Sequence, residues 1–273
     1  MRRRFLASVV FVLCVAPFLT AQSKPWSPPR TADGHPDLQG YWTNNTYTPL
    51  ERPSNVTKAL YTKEEAAEME KRAAAEEAAQ TTPGTVADVH YDFTQFGLDR
   101  SLYDRCITRG IFGSVLPVIY GNGNYIFQAP GYVTITYEMV HDTRVIPLDG
   151  RPHIPSNVRQ WTGDGRGRWD GDTLVVETTN FNGLNPLRGS SEQMRVTERF
   201  TRVDADTIRY QFTVDDPSTW TKPWSAELPL RRTVGPLFEH ACHEGNRGLY
   251  NSLVGARLEE KRAAEEAAKK GRK

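Results

Sequence analysis

The chain has 273 residues, 34 lysines and arginines against 33 aspartates and glutamates, and 38% hydrophobic residues. A formal net charge of +1 lacks the basic footprint of a nucleic-acid binder. The composition also excludes collagen-like, acidic disordered and multi-span membrane chains. Cys14, Cys106 and Cys242 are the only cysteines, too few for a cysteine-rich metal cluster or a dense disulfide scaffold.

Arg2, Arg3 and Arg4 precede an apolar run over 5–20 that Pro17 interrupts, and Ala21 supplies a small residue for cleavage. This pattern predicts a signal peptide over 1–21 and a secreted or periplasmic protein. The run is shorter than the roughly 20 unbroken apolar residues of a membrane span, so no membrane insertion is expected once it is removed. Cleavage takes away three arginines and no acids, leaving a slightly acidic mature chain with Cys106 and Cys242. In an oxidising compartment those two are expected to form a disulfide. A reactive thiol at Cys242 beside His243 is the alternative.

Residues 22–58 read as an extended, proline-rich arm leading into a first strand at Gly40, Tyr41 and Trp42, with Asn-x-Thr sequons at Asn44 and Asn55. Within 59–82, Thr62 and Glu65 make a capping box, and 63–80 is almost wholly alanine, glutamate and lysine. The tail, 257–273, repeats that composition. Both segments read as charged, solvent-exposed helices held by i,i+4 ion pairs.

Residues 95–256 change character. β-branched and aromatic runs alternate with Gly, Asn and Asp turns, which predicts antiparallel strands at 124–128, 132–140, 143–148, 173–181, 194–203, 207–215, 226–234 and 237–243. Eight strands without intervening helices are best relieved of exposed edges by a closed or nearly closed barrel. Alternation places Ile208, Tyr210, Phe212 and Val214 on the inner face, opposite Val196, Glu198 and Phe200. Glu198 then occupies an apolar face and needs a partner or a proton. The glycine-rich stretch 163–172 lacks the Lys-Ser/Thr of a phosphate loop and the closing glutamate of a calcium loop, and reads as a tight turn with Arg166 and Arg168 at a rim.

The blocks Asp33-Gly34-His35-Pro36-Asp37-Leu38-Gln39-Gly40-Tyr41-Trp42, Arg144-Val145-Ile146-Pro147-Leu148-Asp149-Gly150-Arg151-Pro152-His153, Gly167-Arg168-Trp169-Asp170-Gly171-Asp172-Thr173-Leu174-Val175-Val176-Glu177-Thr178-Thr179 and Cys242-His243-Glu244-Gly245-Asn246 resemble those of a bacterial family of exported proteins of unassigned function. Gly40-Tyr41-Trp42 is also similar to the Gly-x-Trp of lipocalin-like (calycin) barrels. That likeness implies a mainly β, antiparallel, lipocalin-like barrel with flanking α-helices, and a small apolar or aromatic ligand in its mouth. The chain departs from that pattern by inserting a helix and a long loop after the first strand, and a tryptophan that closes a barrel floor needs no ligand. Trp42, Trp169 and Tyr210 are the expected aromatic contacts, with Arg168 at the rim.

For catalysis the candidates are Glu138, His141, Arg144, Glu177 and Glu198. An unbroken strand would put Glu138, Asp142 and Arg144 on one face and His141 on the other, with Glu177 sharing a face with Trp169. A carboxylate near His141 or Arg144 would support proton transfer, as in a lyase, isomerase or hydrolase. The competing reading is an ion pair from Glu198 to an arginine that fixes strand register. The six histidines show no metal-binding spacing, so neither metal nor cofactor is expected. Three functions remain open: ligand binding, an enzyme on the same barrel, and a structural envelope protein.

Overall fold

The computed structural model describes residues 26–46, 51–80, 105–113, 122–184, 187 and 189–270. Residues 1–21, read above as a signal peptide, and residues 22–25, 81–82 and 95–104 lie outside the described residues.

Nine antiparallel strands form one sheet: β1 (Gly40–Thr43), β2 (Gly123–Ala129), β3 (Tyr132–Tyr137), β4 (Thr143–Pro147), β5 (Asp164–Asp170), β6 (Thr173–Thr179), β7 (Arg195–Arg202), β8 (Thr207–Asp215) and β9 (Trp224–Arg232). Their spatial order is β4-β3-β2-β1-β9-β8-β7-β6-β5. The sheet curls into a nearly closed barrel in which β4 and β5 face each other without backbone pairing. Helix α1 (Lys63–Gln80) and the four-residue α2 (Gly110–Gly113) belong to the long insertion between β1 and β2, and α3 (Arg247–Lys270) follows the barrel. The capping box is present: the Glu65 amide donates to Thr62 Oγ1 at 3.2 Å, and Glu65 Oε2 accepts from the Thr62 amide at 2.9 Å.

Side-chain alternation builds the core as expected. Val196, Glu198 and Phe200 on β7 and Ile208, Tyr210, Phe212 and Val214 on β8 are all buried. The register pairs Glu198 with Phe212 and Phe200 with Tyr210. Leu38 and Trp42 close one end. Trp42 is fully buried, donates from Nε1 to the Leu38 carbonyl at 2.8 Å, and has the Arg232 and Arg202 guanidinium carbons 4.6 Å and 5.7 Å from its ring centre. The tryptophan is therefore a floor. Asn44, of the first sequon, is buried against Asn124, whereas Asn55 is exposed.

Four expectations are corrected. The strand expected over 132–140 stops at Tyr137, because Met139–His141 form a 3-10 turn in which Val140 and His141 adopt φ of 61° and 57°. Glu138, Asp142 and Arg144 consequently do not share a strand face. Residues 237–243 form no strand, and α3 begins at Arg247, inside the region assigned to the barrel. The glycine-rich segment is a strand, β5, and supplies the ninth.

The reason is on the inner face of β5. The register pairs Gly165 with Thr178, Gly167 with Val176 and Trp169 with Leu174, so the glycines and Trp169 point inward. A Cβ on Gly167 would come within 2.5 Å of Leu148 Cδ2 and 2.9 Å of Ile146 Cγ2. Glycine here admits side chains of the β4 edge over the β5 edge. Gly167→Val should overpack this seam and cost about 1–3 kcal/mol, measured by urea denaturation. An unchanged midpoint would show that the seam has room to spare.

At the other end Asp216 pins two loops. It is 1% exposed and accepts from the Ser191 amide and hydroxyl, the Ser218 amide and the Thr219 hydroxyl, at 2.5–3.1 Å. Burial pushes its carboxyl up, but these donors outweigh burial and hold it below the ordinary 3.8. A depressed folded-state value means stability present above about pH 4 and lost as pH falls through the folded pKa. Asp216→Asn should therefore lose stability at neutral pH, by about 2 kcal/mol, and show a shallower decline on acidification than the wild type. Parallel acid-denaturation curves for the two would count against this clamp.

Candidate functional site

Two polar clusters emerge. The first is in the barrel lumen. Arg144 on β4 and Glu198 on β7 are 4% and 0% exposed. They form a bidentate pair, Nη1 to Oε1 at 3.0 Å and Nη2 to Oε2 at 2.5 Å. Arg144 also donates to the Tyr137 hydroxyl at 3.0 Å and to Thr178 Oγ1 at 3.1 Å, while the Tyr210 hydroxyl donates to Glu198 Oε1 at 2.9 Å. Burial works against the charge on Arg144, but Glu198 and Tyr137 beside it prevail and hold it charged well beyond the ordinary arginine range. Desolvation, with Glu198 adding to it, raises the Tyr210 phenol well above its usual value, and burial likewise raises that of Tyr137. Both phenols keep their protons as hydrogen-bond donors or acceptors. The cluster is charge-matched and packed among core side chains. It ties β4 to β6 and β7 across the seam that backbone pairing leaves open.

The second cluster lines an open cavity of about 510 Å³. Its walls are the end of β3 with the 3-10 turn, bearing Glu138 and His141, and the irregular segment after β9, bearing Leu237, Phe238 and His240. Contacts from several parts of the chain hold the segment in place. Cys106 and Cys242 are disulfide-bonded with Cα atoms 5.5 Å apart and a sequence separation of 136, as the sequence reading expects, and both line the cavity. The His240 amide donates to His141 Nε2 at 3.0 Å. Leu237 packs above Gly123, where a Cβ would come within 2.5 Å of Leu237 Cδ2 and 2.7 Å of Glu138 Oε2. Glu138 Oε2 in turn accepts from the Gly123 amide at 2.9 Å.

The sequence-selected residues divide between these places. Arg144, Glu198 and Tyr210 are in the lumen, while Glu138 and His141 are in the cavity. His141 is not brought to Arg144: its Nε2 accepts from His240, and the guanidinium is engaged by Tyr137, Thr178 and Glu198. Glu177 and Arg168 are exposed on the outer face, paired at 2.8 Å. Glu177 does not share the face of Trp169, because the register sets Trp169 against Leu174 and Arg166 against Glu177. Trp169 stacks on His35, ring centres 4.9 Å apart, and Trp42 is the floor. Tyr137 and Thr178 in the lumen, and the cavity wall at Leu237, Phe238 and His240, were not anticipated. The density of His and Glu around Cys242 was the available signal, once the bridge tied it to Cys106.

Among the described residues no group of three or more His, Cys, Asp or Glu is arranged to hold a metal ion, and no helix is long and apolar enough to cross a membrane. The fold and the two clusters define a nearly closed antiparallel barrel with a packed, ion-paired interior and an external cleft. No protein-family model matches the chain, and neither a curated protein nor a solved structure matches it.

Proposed function

We propose that the protein is an exported, small-molecule-binding barrel of lipocalin-like architecture, which holds its ligand in the cleft beside the Cys106–Cys242 bridge. The carrying observation is the cavity of about 510 Å³, within the roughly 300–1,000 Å³ of small-molecule sites. Val140, Leu237 and Phe238 give it an apolar wall, and Glu138, His141 and His240 converge on it with polar groups. The lumen, filled by core side chains around Arg144 and Glu198, is the scaffold. Export is supported by the Arg2–Arg4 start, the apolar run after it and the disulfide. Membership of the bacterial exported family rests on the shared sequence blocks.

Native mass spectrometry of the protein purified from its own host tests both parts in one spectrum. The expected species begins at Gln22 and carries a small-molecule adduct that is lost on denaturation. A bare mature chain would count against ligand binding, and a chain that retains residues 1–21 would count against processing for export.

A further inference from the structure

We propose that the cleft selects a small organic cation, an ammonium group on an apolar or aromatic body. This rests on the cleft reading above and specifies its ligand. Glu138, Glu239 and Glu244 all line the cavity, and no lysine or arginine is among its described lining residues. Opposite charge in a partly desolvated cleft is attracted more strongly than in bulk water, and like charge is excluded. Among the described lining residues an anionic ligand would face three carboxylates, and the basic side chains there are the imidazoles of His141, His240 and His243 alone.

The remaining lining fits the same occupant. Phe238 is 75% exposed although it borders a cavity, so its ring is free to cover an apolar body or lie against a cation. His240, which also lines the cavity, has a buried Nε2 with no hydrogen-bond partner among the described residues. With the ring proton on Nδ1 that nitrogen is an acceptor, the complement of an ammonium N–H. His141 Nε2, by contrast, is occupied by the His240 amide. The acceptors therefore come from two places, Glu138 just before the 3-10 turn and Glu239, His240 and Glu244 after β9, around one apolar wall.

A matched trio of probes tests the inference on the mature, disulfide-intact protein: phenethylammonium chloride, phenethyl alcohol and phenylacetate, titrated separately while backbone amide NMR shifts are followed. Phenethylammonium is expected to shift amides of residues 237–244 with an affinity at least about tenfold above that of the alcohol, weakening as salt is added. Phenylacetate is expected to leave those amides unmoved. Glu138→Gln keeps an oxygen for the Gly123 amide and should weaken the ammonium probe alone. Glu244→Gln, at an exposed position, should do the same without touching the fold. If the alcohol or the carboxylate binds the cleft as well as the ammonium does, cation selectivity is overturned and the cleft remains a binding site. If no probe shifts residues 237–244, both this inference and the cleft reading are overturned.

Discussion

Replacing Glu198 by glutamine should destabilise the barrel by about 3–5 kcal/mol, because it leaves the Arg144 charge buried without a counter-charge. Both side chains are at most 4% exposed, so water cannot take the place of the lost carboxylate. The two halves of the pair are unequal. A lone Glu198 can neutralise itself by taking up a proton, whereas a lone Arg144 cannot shed one. Arg144→Met should therefore cost less than Glu198→Gln. The double variant Arg144→Met, Glu198→Leu should recover most of the loss, since two apolar groups of similar volume replace the pair without an orphaned charge. Urea denaturation followed by tryptophan fluorescence measures all three. A loss below about 1 kcal/mol for Glu198→Gln, the size expected of an exposed pair, would show that the lumen is wetter than its packing implies.

Removing the disulfide should have an effect of comparable size. The bridge closes a loop of 136 residues that contains β2 to β9, and the chain-entropy relation gives about 5 kcal/mol for such a loop. Cys106→Ala with Cys242→Ala is the cleaner test, because it leaves no free thiol to exchange. The same variant should also blunt ligand binding, since the bridge is part of the cleft wall and anchors the segment that carries Phe238 and His240. Denaturation midpoints with and without the bridge decide the first point. Equal midpoints would mean that the reduced chain is already held together in its unfolded state.

The barrel itself was legible in the sequence because alternation is a local signal. The inward set on β7 and β8 could be read from period two alone, and with it the need of Glu198 for a partner. Which arginine would answer was not legible, since Arg144 lies 54 residues away and reaches Glu198 only once the sheet curls. β5 was missed because glycines at 165 and 167 look like turn chemistry unless a neighbouring strand edge is known to overlie them. The cleft was missed for a related reason. Residues 237–243 look like a strand, and their real course depends on a bridge, one histidine contact and a glycine at 123. None of these is local.

Strand number has a consequence of parity. With nine strands each antiparallel to its neighbour, the first and last members of the sheet, β4 and β5, point the same way. An even count would have let them meet as one more antiparallel pair. An odd count leaves only a parallel meeting, whose pairing would be slanted and slightly weaker and is not made between these two edges, and it obliges the connection over 148–163 to travel the whole height of the barrel before β5 can start. The fold answers with side chains where the backbone arithmetic does not close: Ile146 and Leu148 over glycines, and Arg144 reaching past them to Thr178 and Glu198. The barrel is a cylinder with a zip, and the ion pair is its fastener.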